Sequence, residues 1–276
     1  MPVAPSSDAP TPATISVVGT ASQYPSNQHE PEFLPQLSKR HYAHSSAYVS
    51  IRHSTLSLNV FSLEKTLEIH MRTKIEKRYS VLPDTHPLWH QDKVPTVTEC
   101  IAISEQYGLP LAKAAAKEAI AEWGGDIQGI THVIAVTCSG GSSPRFDSAL
   151  CKHLGMSQHA RRILIDGMTC AGSVAALRTA YELLLGATCV GQPGRALVIA
   201  CETMSIYNRA WLDHIVTQQT PNLAPTLFGD CSSAVVLSNM IGVKDTERPP
   251  IWQIIGAQPT LTTVSGVIGD NIVPTG

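Results

Sequence analysis

The cysteine at position 170 is the residue whose surroundings most favour chemistry. A short apolar segment, residues 163–165, precedes a tight turn, and a helical pattern begins at or just after Cys170. Backbone N–H groups in the first turn of a helix are unpaired and carry partial positive charge, so they stabilise a thiolate beside them. Such a thiolate is a nucleophile that needs no metal. The alternative, a small buried hydrophobic side chain, is the more frequent fate of a free cysteine.

The composition narrows the classes of partner. Of the 276 residues, 43% are hydrophobic and 15% are charged, and the formal net charge is −2. The apolar fraction is sufficient for a buried core, and the small net charge provides no basic surface for nucleic acid or an anionic membrane. No apolar run approaches the roughly 20 residues that cross a bilayer. We therefore expect a soluble protein with no nucleic acid or membrane partner.

The spacing of cysteine and histidine argues against a disulfide framework and a metal centre. The seven cysteines include no CxxC pair, and several lie in apolar, strand-like runs, which favours reduced thiols in the cytoplasm. The i, i+4 pair His86 and His90 has Pro83 and Pro87 around it, which disfavours one helix face presenting both imidazoles to a metal. We expect a cytoplasmic protein without a metal site.

Apolar runs of strand length alternate with helical patterns. Residues 132–138 and 195–201 are almost continuously apolar, as in strands covered on both faces. The alternation predicts an α/β protein with a mostly parallel central sheet, whose reactive groups gather at the carboxyl ends of the strands. Helical patterns begin at residue 63 and cover residues 96–107, 110–123, 146–154 and 170–185.

Two segments lack such a pattern. Residues 1–13 are rich in proline, serine, alanine and threonine without the blocks of a signal peptide, and we expect a disordered leader there. Residues 30–61 mix prolines, histidines and serines with little periodicity, which predicts an irregular insertion. One hypothesis is that residues 47–61 are translated non-coding sequence.

Five short motifs resemble those of one enzyme family. In order and spacing they are similar to the type III polyketide synthases, the chalcone synthase-like branch of the thiolase fold. The cysteine motif is most similar to that of fungal or bacterial members. The resemblance runs from residue 17 to about residue 256, and the motifs are Glu122-Trp-Gly124, Thr137-Cys-Ser-Gly140, Thr169-Cys-Ala-Gly172, Ala200-Cys-Glu202 and Leu227-Phe-Gly-Asp230.

The resemblance implies a homodimeric acyltransferase with a thiolase-like fold. In that family a cysteine takes an acyl group from an acyl-CoA starter and condenses it with malonyl-CoA to a pyrone, resorcinol or related polyketide. The two thioesters are substrates, and no separate cofactor is implied. By this resemblance Cys170 is the nucleophile and Phe228 gates the cavity, although Phe228 is also explained as a core aromatic residue. The other implied positions are Ser139, Ser143 and Met204 for the substrate cavity, and Lys65 and Arg72 for the coenzyme A phosphates.

Two features depart from the family pattern. Glu68 stands between Lys65 and Arg72 where a third cation is expected, and the two cations are also explained as a solvated helix face. No histidine follows His214, whereas the family's second half supplies a histidine and an asparagine that stabilise charge on the thioester oxygen. The resemblance therefore implies that residues 14–240 form the N-terminal half of the fold and 241–276 begin a truncated second half.

Three interpretations of function follow. The leading one is a type III polyketide synthase. The first alternative is a catalytically incomplete paralogue or fragment that self-acylates or only binds acyl-CoA, which the absence of a histidine after His214 favours. The second is a ketoacyl-ACP synthase-like enzyme, which shares the nucleophile and the fold, and the Leu227-Phe-Gly-Asp230 motif argues weakly against it.

Overall fold

Two β-sheets organise the structure, a computed structural model that describes residues 14–45, 62–140 and 145–256. The strands are β1 (Ile15–Gln23), β2 (Asn27–His29), β3 (Arg78–Ser80), β4 (His132–Thr137), β5 (Arg161–Asp166), β6 (Arg195–Thr203), β7 (Asp230–Ser238) and β8 (Trp252–Ile254). The larger sheet has the order β5-β4-β6-β7-β1-β8, and β2 pairs with β3 in the smaller sheet. The helices of the described residues are α1 (Phe33–Tyr42), α2 (Ser62–Arg72), α3 (Val97–Trp123), α4 (Phe146–Leu154), α5 (Gly172–Cys189), α6 (Asn208–Gln218) and α7 (Ala224–Leu227).

The larger sheet is mixed. Strand β4 is parallel to both β5 and β6, whereas β6 with β7, β7 with β1, and β1 with β8 are antiparallel. The predicted α/β class is confirmed, and the predicted parallel arrangement applies to the three strands at the β5 edge. Hydrophobic periodicity reports which faces of a strand are buried, but it does not report the direction of the strand, so the antiparallel half was not foreseen.

Helices cover both faces of this sheet. On one face the small side chains of α3, such as Ala112 and Ala119, pack with Val133 and Ala135 of β4. On the other face α5 packs with the alternate residues of β4, Ile134 and Val136. Because successive side chains of a strand point to opposite faces, this packing explains the continuous apolar run at residues 132–138.

The long helix α3 differs from the prediction of two helices at residues 96–107 and 110–123. Pro110 lies inside one continuous helix that begins after a capping box formed by Thr96 and Glu99. A proline in a helix removes the hydrogen bond to the carbonyl four residues earlier. Here Pro110 and Gln106 are both exposed, so water can bond the free carbonyl and the helix continues.

A further group of elements packs beside the sheet. Helices α1, α2 and α6 contribute to one apolar cluster centred on residues such as Leu34, Leu63 and Trp89. Helix α1 lies within residues 30–61, where an irregular insertion was predicted; residues 46–61 and the predicted leader at 1–13 lie outside the described residues. Among the described residues, no helix is long and apolar enough to span a membrane. The cytoplasmic location stays a prediction.

Candidate active site

The turn that carries Cys170 has the predicted strand-turn-helix form. Strand β5 ends at Asp166, a 3₁₀ turn covers Thr169–Ala171, and α5 begins at Gly172. The backbone φ angle is +69° at Gly167 and +49° at Thr169. A positive φ is unusual for a β-branched residue, and backbone strain of this kind concentrates at functional sites. Cys170 is exposed.

Close contact with the sheet fixes the beginning of α5. A Cβ atom at Gly172 would lie 2.8 Å from Cγ1 of Val136 in β4, so only glycine lets the helix approach this closely. The residue before the helix, Ala171, provides no side-chain cap. The N–H groups of the first turn are therefore not occupied by a capping side chain, and they can stabilise negative charge near Cys170.

The protein's other thiols are in different surroundings. Burial raises the pKa of Cys100, Cys138 and Cys151 to about 11, and it also raises the pKa of Cys201 and Cys231. A thiol with a raised pKa has little thiolate near neutral pH and reacts slowly. The two exposed cysteines are Cys170, before α5, and Cys189, at its last residue.

Cys138 connects the Cys170 turn to the neighbouring strands. The backbone amides of Thr169 and Gly167 lie close enough to its Sγ to lower the pKa of the thiol against the effect of burial, and the Gly167 N–H donates to the Thr137 carbonyl at 3.3 Å. Its own N–H donates to both carboxylate oxygens of Glu202, at 2.9 and 3.0 Å. Burial raises the pKa of Glu202 to about 7, although the hydrogen bond from the Cys138 N–H opposes this. The ends of β4, β5 and β6 are thus linked through one thiol and one carboxyl group.

A large cavity opens beside the same turn. Its volume is about 870 Å³, which is within the usual range for small-molecule sites. Asp166 and Gly167 belong to its lining, so the cavity reaches the turn, while Cys170 lies farther along that turn and is not among the lining residues. Met204, predicted for the starter pocket, lines the cavity. Cys138, Tyr207, Trp211 and His214 also line the cavity.

The structure places the predicted substrate residues differently. The ring of Phe228 is half-buried, with its centroid 6.5 Å from that of Trp211, so it touches the cavity wall from behind. Ser139 is buried, and its Oγ accepts a hydrogen bond of 3.0 Å from the Thr203 N–H, so this hydroxyl supports the backbone. Ser143 lies outside the described residues.

The two predicted phosphate-binding cations lie on α2 and share one carboxylate partner. Lys65 Nζ is 3.5 Å from Glu68, and Arg72 Nη2 is 2.6 Å from the same residue. All three side chains are substantially exposed, which makes the individual ion pairs weak. Helix α2 therefore presents two cations on one face, but Glu68 competes with any phosphate that would bind them.

Two carboxyl groups, the half-buried Glu202 and the buried Asp230, were not assigned a role from the sequence. Glu202 supports Cys138, and Asp230 accepts hydrogen bonds from the N–H and Oγ of Ser205 and the N–H of Val81, at 2.6–2.7 Å. Burial raises the pKa of Asp230 to about 6. The sequence did contain a signal for Glu202, which directly follows the apolar run at residues 195–201. Acidic residues are rarely buried without partners, so an acid at the end of a buried strand indicates a polar contact there. Among the described residues, no group of three or more His, Cys, Asp or Glu side chains could hold a metal ion.

Similarity to known proteins identifies the family of the chain. Residues 39–240 match the family described as chalcone and stilbene synthases, N-terminal domain. Acylalkylpyrone synthase csyB of Aspergillus oryzae is 42% identical over 247 residues, which are 90% of this chain and 58% of that protein. Type III polyketide synthase pspB of Penicillium soppii is 30% identical, over 88% of this chain and 58% of that protein. The chain thus spans little more than half the length of these relatives.

Solved structures extend the similarity to three dimensions. CsyB in complex with CoA-SH superposes with a TM-score of 0.78 at 42% identity, covering 86% of this chain and 59% of that one. A type III pentaketide synthase from Neurospora crassa has a TM-score of 0.78 at 35% identity, over 88% and 60% of the two chains. The fold matches the N-terminal half of these thiolase-like enzymes. The chain therefore belongs to the chalcone and stilbene synthase family and, within it, is a fungal-type type III polyketide synthase sequence.

Proposed function

We propose that Cys170 takes an acyl group from an acyl-CoA thioester. The observation that carries the proposal is an exposed thiol before the uncapped first turn of α5, in a turn that also borders the 870 Å³ cavity. In this step the Cys170 sulfur attacks the thioester carbonyl, the bond between that carbon and the coenzyme A sulfur breaks, and coenzyme A leaves as a thiol after it gains the cysteine proton.

The cavity is the proposed space for the acyl chain. Met204, Tyr207 and Trp211 give it an apolar wall, which suits an aliphatic group. Phe228 lies behind Trp211, so movement of its ring would change the shape of this wall. We propose Phe228 as the gate residue, with Ser139 as support for the backbone that forms the cavity rim.

Helix α2 is the proposed contact for coenzyme A. Its cations, Lys65 and Arg72, complement the negative charge of the phosphates in the coenzyme A moiety of the substrate. The structure of the relative CsyB has been solved in complex with CoA-SH. Glu68→Gln removes the competing charge, and since exposed ion pairs are worth up to about 1 kcal/mol, we expect coenzyme A to bind up to about five times more tightly. Calorimetric titration measures this, with Glu64→Gln on the same helix as the control. An unchanged affinity in Glu68→Gln would place the phosphates elsewhere.

Condensation is the second proposed step. The acyl group on Cys170 would be extended by malonyl-CoA to a pyrone, resorcinol or related polyketide, as the name of the A. oryzae relative suggests for that protein. We also propose that the active form is a homodimer, because β5 is an edge strand and the adjoining Met168 and Val174 are 46% and 70% exposed. A protein that self-acylates without extending the chain is the second candidate.

Acylation is tested by mass spectrometry of the intact protein after incubation with a fatty acyl-CoA. We expect one acyl adduct that is absent from Cys170→Ala and retained in the matched control Cys189→Ala. An adduct that persists in Cys170→Ala would overturn the proposal. Malonyl-CoA added next distinguishes the two candidates: a released polyketide supports condensation, and an adduct without product supports self-acylation. Replacing the acyl-CoA by an acyl-carrier protein tests the ketoacyl-ACP synthase alternative, which requires loading from that donor.

A further inference from the structure

A second, much smaller cavity lies against Phe228, with room for about one water molecule. Four of the polar residues that line it, His29, His70, Arg78 and Asn208, are more than nine-tenths buried. Each contributes one buried atom that has no hydrogen-bond partner among the described residues: His29 Nε2, His70 Nδ1, Arg78 Nε and Asn208 Oδ1. Because buried polar atoms are almost always paired, four of them at one cavity indicate a shared ligand.

In each histidine, the hydrogen bond of the paired ring nitrogen determines whether the unpaired ring nitrogen is a donor or an acceptor. His29 Nδ1 contacts the carboxylate of Asp84, which can only accept, so the proton is on Nδ1 and Nε2 is an acceptor. His70 Nε2 donates to the carbonyl oxygen of Pro31 at 2.8 Å, so its Nδ1 is an acceptor. Burial lowers the pKa of both imidazoles, which keeps them neutral.

The cavity therefore presents one donor and three acceptors. Arg78 Nε carries a proton to donate, and the two imidazole nitrogens and the Asn208 amide oxygen each accept one. An anion would meet three lone pairs, and a cation would meet the Arg78 guanidinium. A small neutral molecule that both donates and accepts fits this set and this volume.

We propose that the cavity binds a buried water molecule, which accepts a hydrogen bond from Arg78 Nε and donates to Asn208 Oδ1 and to one of the two imidazole nitrogens. A water in this position joins β3 to the start of α6 and to either β2 or α2, which otherwise meet without a direct polar contact at these atoms. Buried waters of this kind make about three hydrogen bonds and are costly to remove.

The site also bears on the position of Phe228. Arg78 Nη2 donates to the carbonyl of Thr226 in α7, and the Phe228 N–H donates to the carbonyl of Ala224. The water holds the Arg78 guanidinium in the orientation that anchors this short helix, so Arg78 is a positioning residue for Phe228. This consequence rests on the proposed function of Phe228, whereas the water site does not.

A crystal structure of the 276-residue chain at neutral pH tests the site directly. We expect one water peak within about 2.7–3.2 Å of Arg78 Nε, of Asn208 Oδ1 and of one imidazole nitrogen. No peak, or side chains rotated so that the four atoms pair with each other, would overturn the proposal. An anomalous peak at this site after a bromide soak would assign it to an anion and would overturn it as well.

A pair of variants tests the site in solution. Asn208→Leu keeps the approximate size of the side chain and removes its acceptor. If water bonds Asn208 Oδ1, the melting temperature falls, as it should in the control Asn239→Leu, because Asn239 Oδ1 accepts directly from the Gly194 N–H at 2.9 Å. If that oxygen is unpaired, removing it stabilises the fold, so a rise in melting temperature in Asn208→Leu alone contradicts the proposal. Acylation of Cys170 in the same variant is a separate readout, and its failure would concern only the proposed function.

Discussion

Helix α5 carries an exposed cysteine at each end, and the two ends differ in their electrostatics. Cys170 lies in the turn before the first N–H groups, which no side chain caps. Cys189 is the last residue, where the carbonyls of Ala187 and Thr188 accept from the amides that follow. The helix dipole stabilises a negative charge at the first position and disfavours it at the second. Exposure alone is therefore a poor guide to the reactivity of a thiol, because the position of the cysteine along the helix determines whether the helix dipole stabilises its thiolate.

The two ends also differ in how firmly they are held. At the Cys170 end, Gly172 packs against Val136 of β4, and the Gly167 N–H of the turn donates to the carbonyl of Thr137 at the end of β4. At the Cys189 end, a Cβ at Gly186 or Gly191 would meet no atom within 4 Å. The fixed end is the one that borders the large cavity, as expected of a positioned nucleophile.

The largest expected effect concerns the carboxyl group that supports the fixed end. The pKa of Glu202 is raised to about 7 by burial, so its protonated form is favoured in the folded state. The contribution of this carboxyl group to the free energy of unfolding is fully present below its unfolded pKa of about 4.3. That contribution is lost as the pH rises through the folded pKa of about 7. Glu202→Gln removes this titration, so its free energy of unfolding relative to the parent should increase between pH 5 and pH 8, by up to about 3 kcal/mol.

Urea denaturation of both proteins at the two pH values measures this difference. The matched control is Glu182→Gln on α5, whose carboxylate is 63% exposed and pairs with Arg178 at 3.8 Å. This control should show little dependence on pH. A Glu202→Gln difference that stays constant from pH 5 to pH 8 would mean that Glu202 is not held in a buried, protonation-sensitive site.

A smaller effect is expected when the same substitution is made near each end of α5. Gly172→Ala places a Cβ against Val136 and should lower the free energy of unfolding by about 1–3 kcal/mol. Gly186→Ala meets no neighbour and should raise it by about 0.5–1 kcal/mol, because alanine loses less backbone entropy in a helix. Denaturant titration gives both values. If both substitutions change the free energy of unfolding in the same direction, the two ends of α5 are not held differently.

Much of the fold could be predicted from local patterns. The buried runs at β4 and β6 and the strand-turn-helix at Cys170 are evident because strand burial and glycine-rich turns leave direct signals in sequence. Helix α1 was not predicted because residues 30–61 mix prolines, histidines and serines with little periodicity. In the structure Pro35 lies in the first turn of α1, where a proline lacks only an N–H that has no partner there.

The site was less predictable because its contacts are distant in sequence. Glu202 meets Cys138 across 64 residues, and Arg78 meets Thr226 across 148. Periodicity contains no information on such pairs. The family resemblance pointed to Met204, which lines the cavity, but it could not show that Ser139 is buried or that Glu68 pairs with both cations of α2.

The reactivity of the two exposed cysteines tests the central claim most directly. The unmodified protein is treated at pH 7 with a limiting amount of iodoacetamide, and labelling of each cysteine is followed in time by peptide mass spectrometry. Since a helix terminus contributes about 0.3–1 kcal/mol, we expect Cys170 to react about two to five times faster than Cys189. Both should react faster than the other five thiols, which are buried or half-buried. If Cys189 reacts as fast as Cys170, the claim that the start of α5 activates the Cys170 thiol is contradicted.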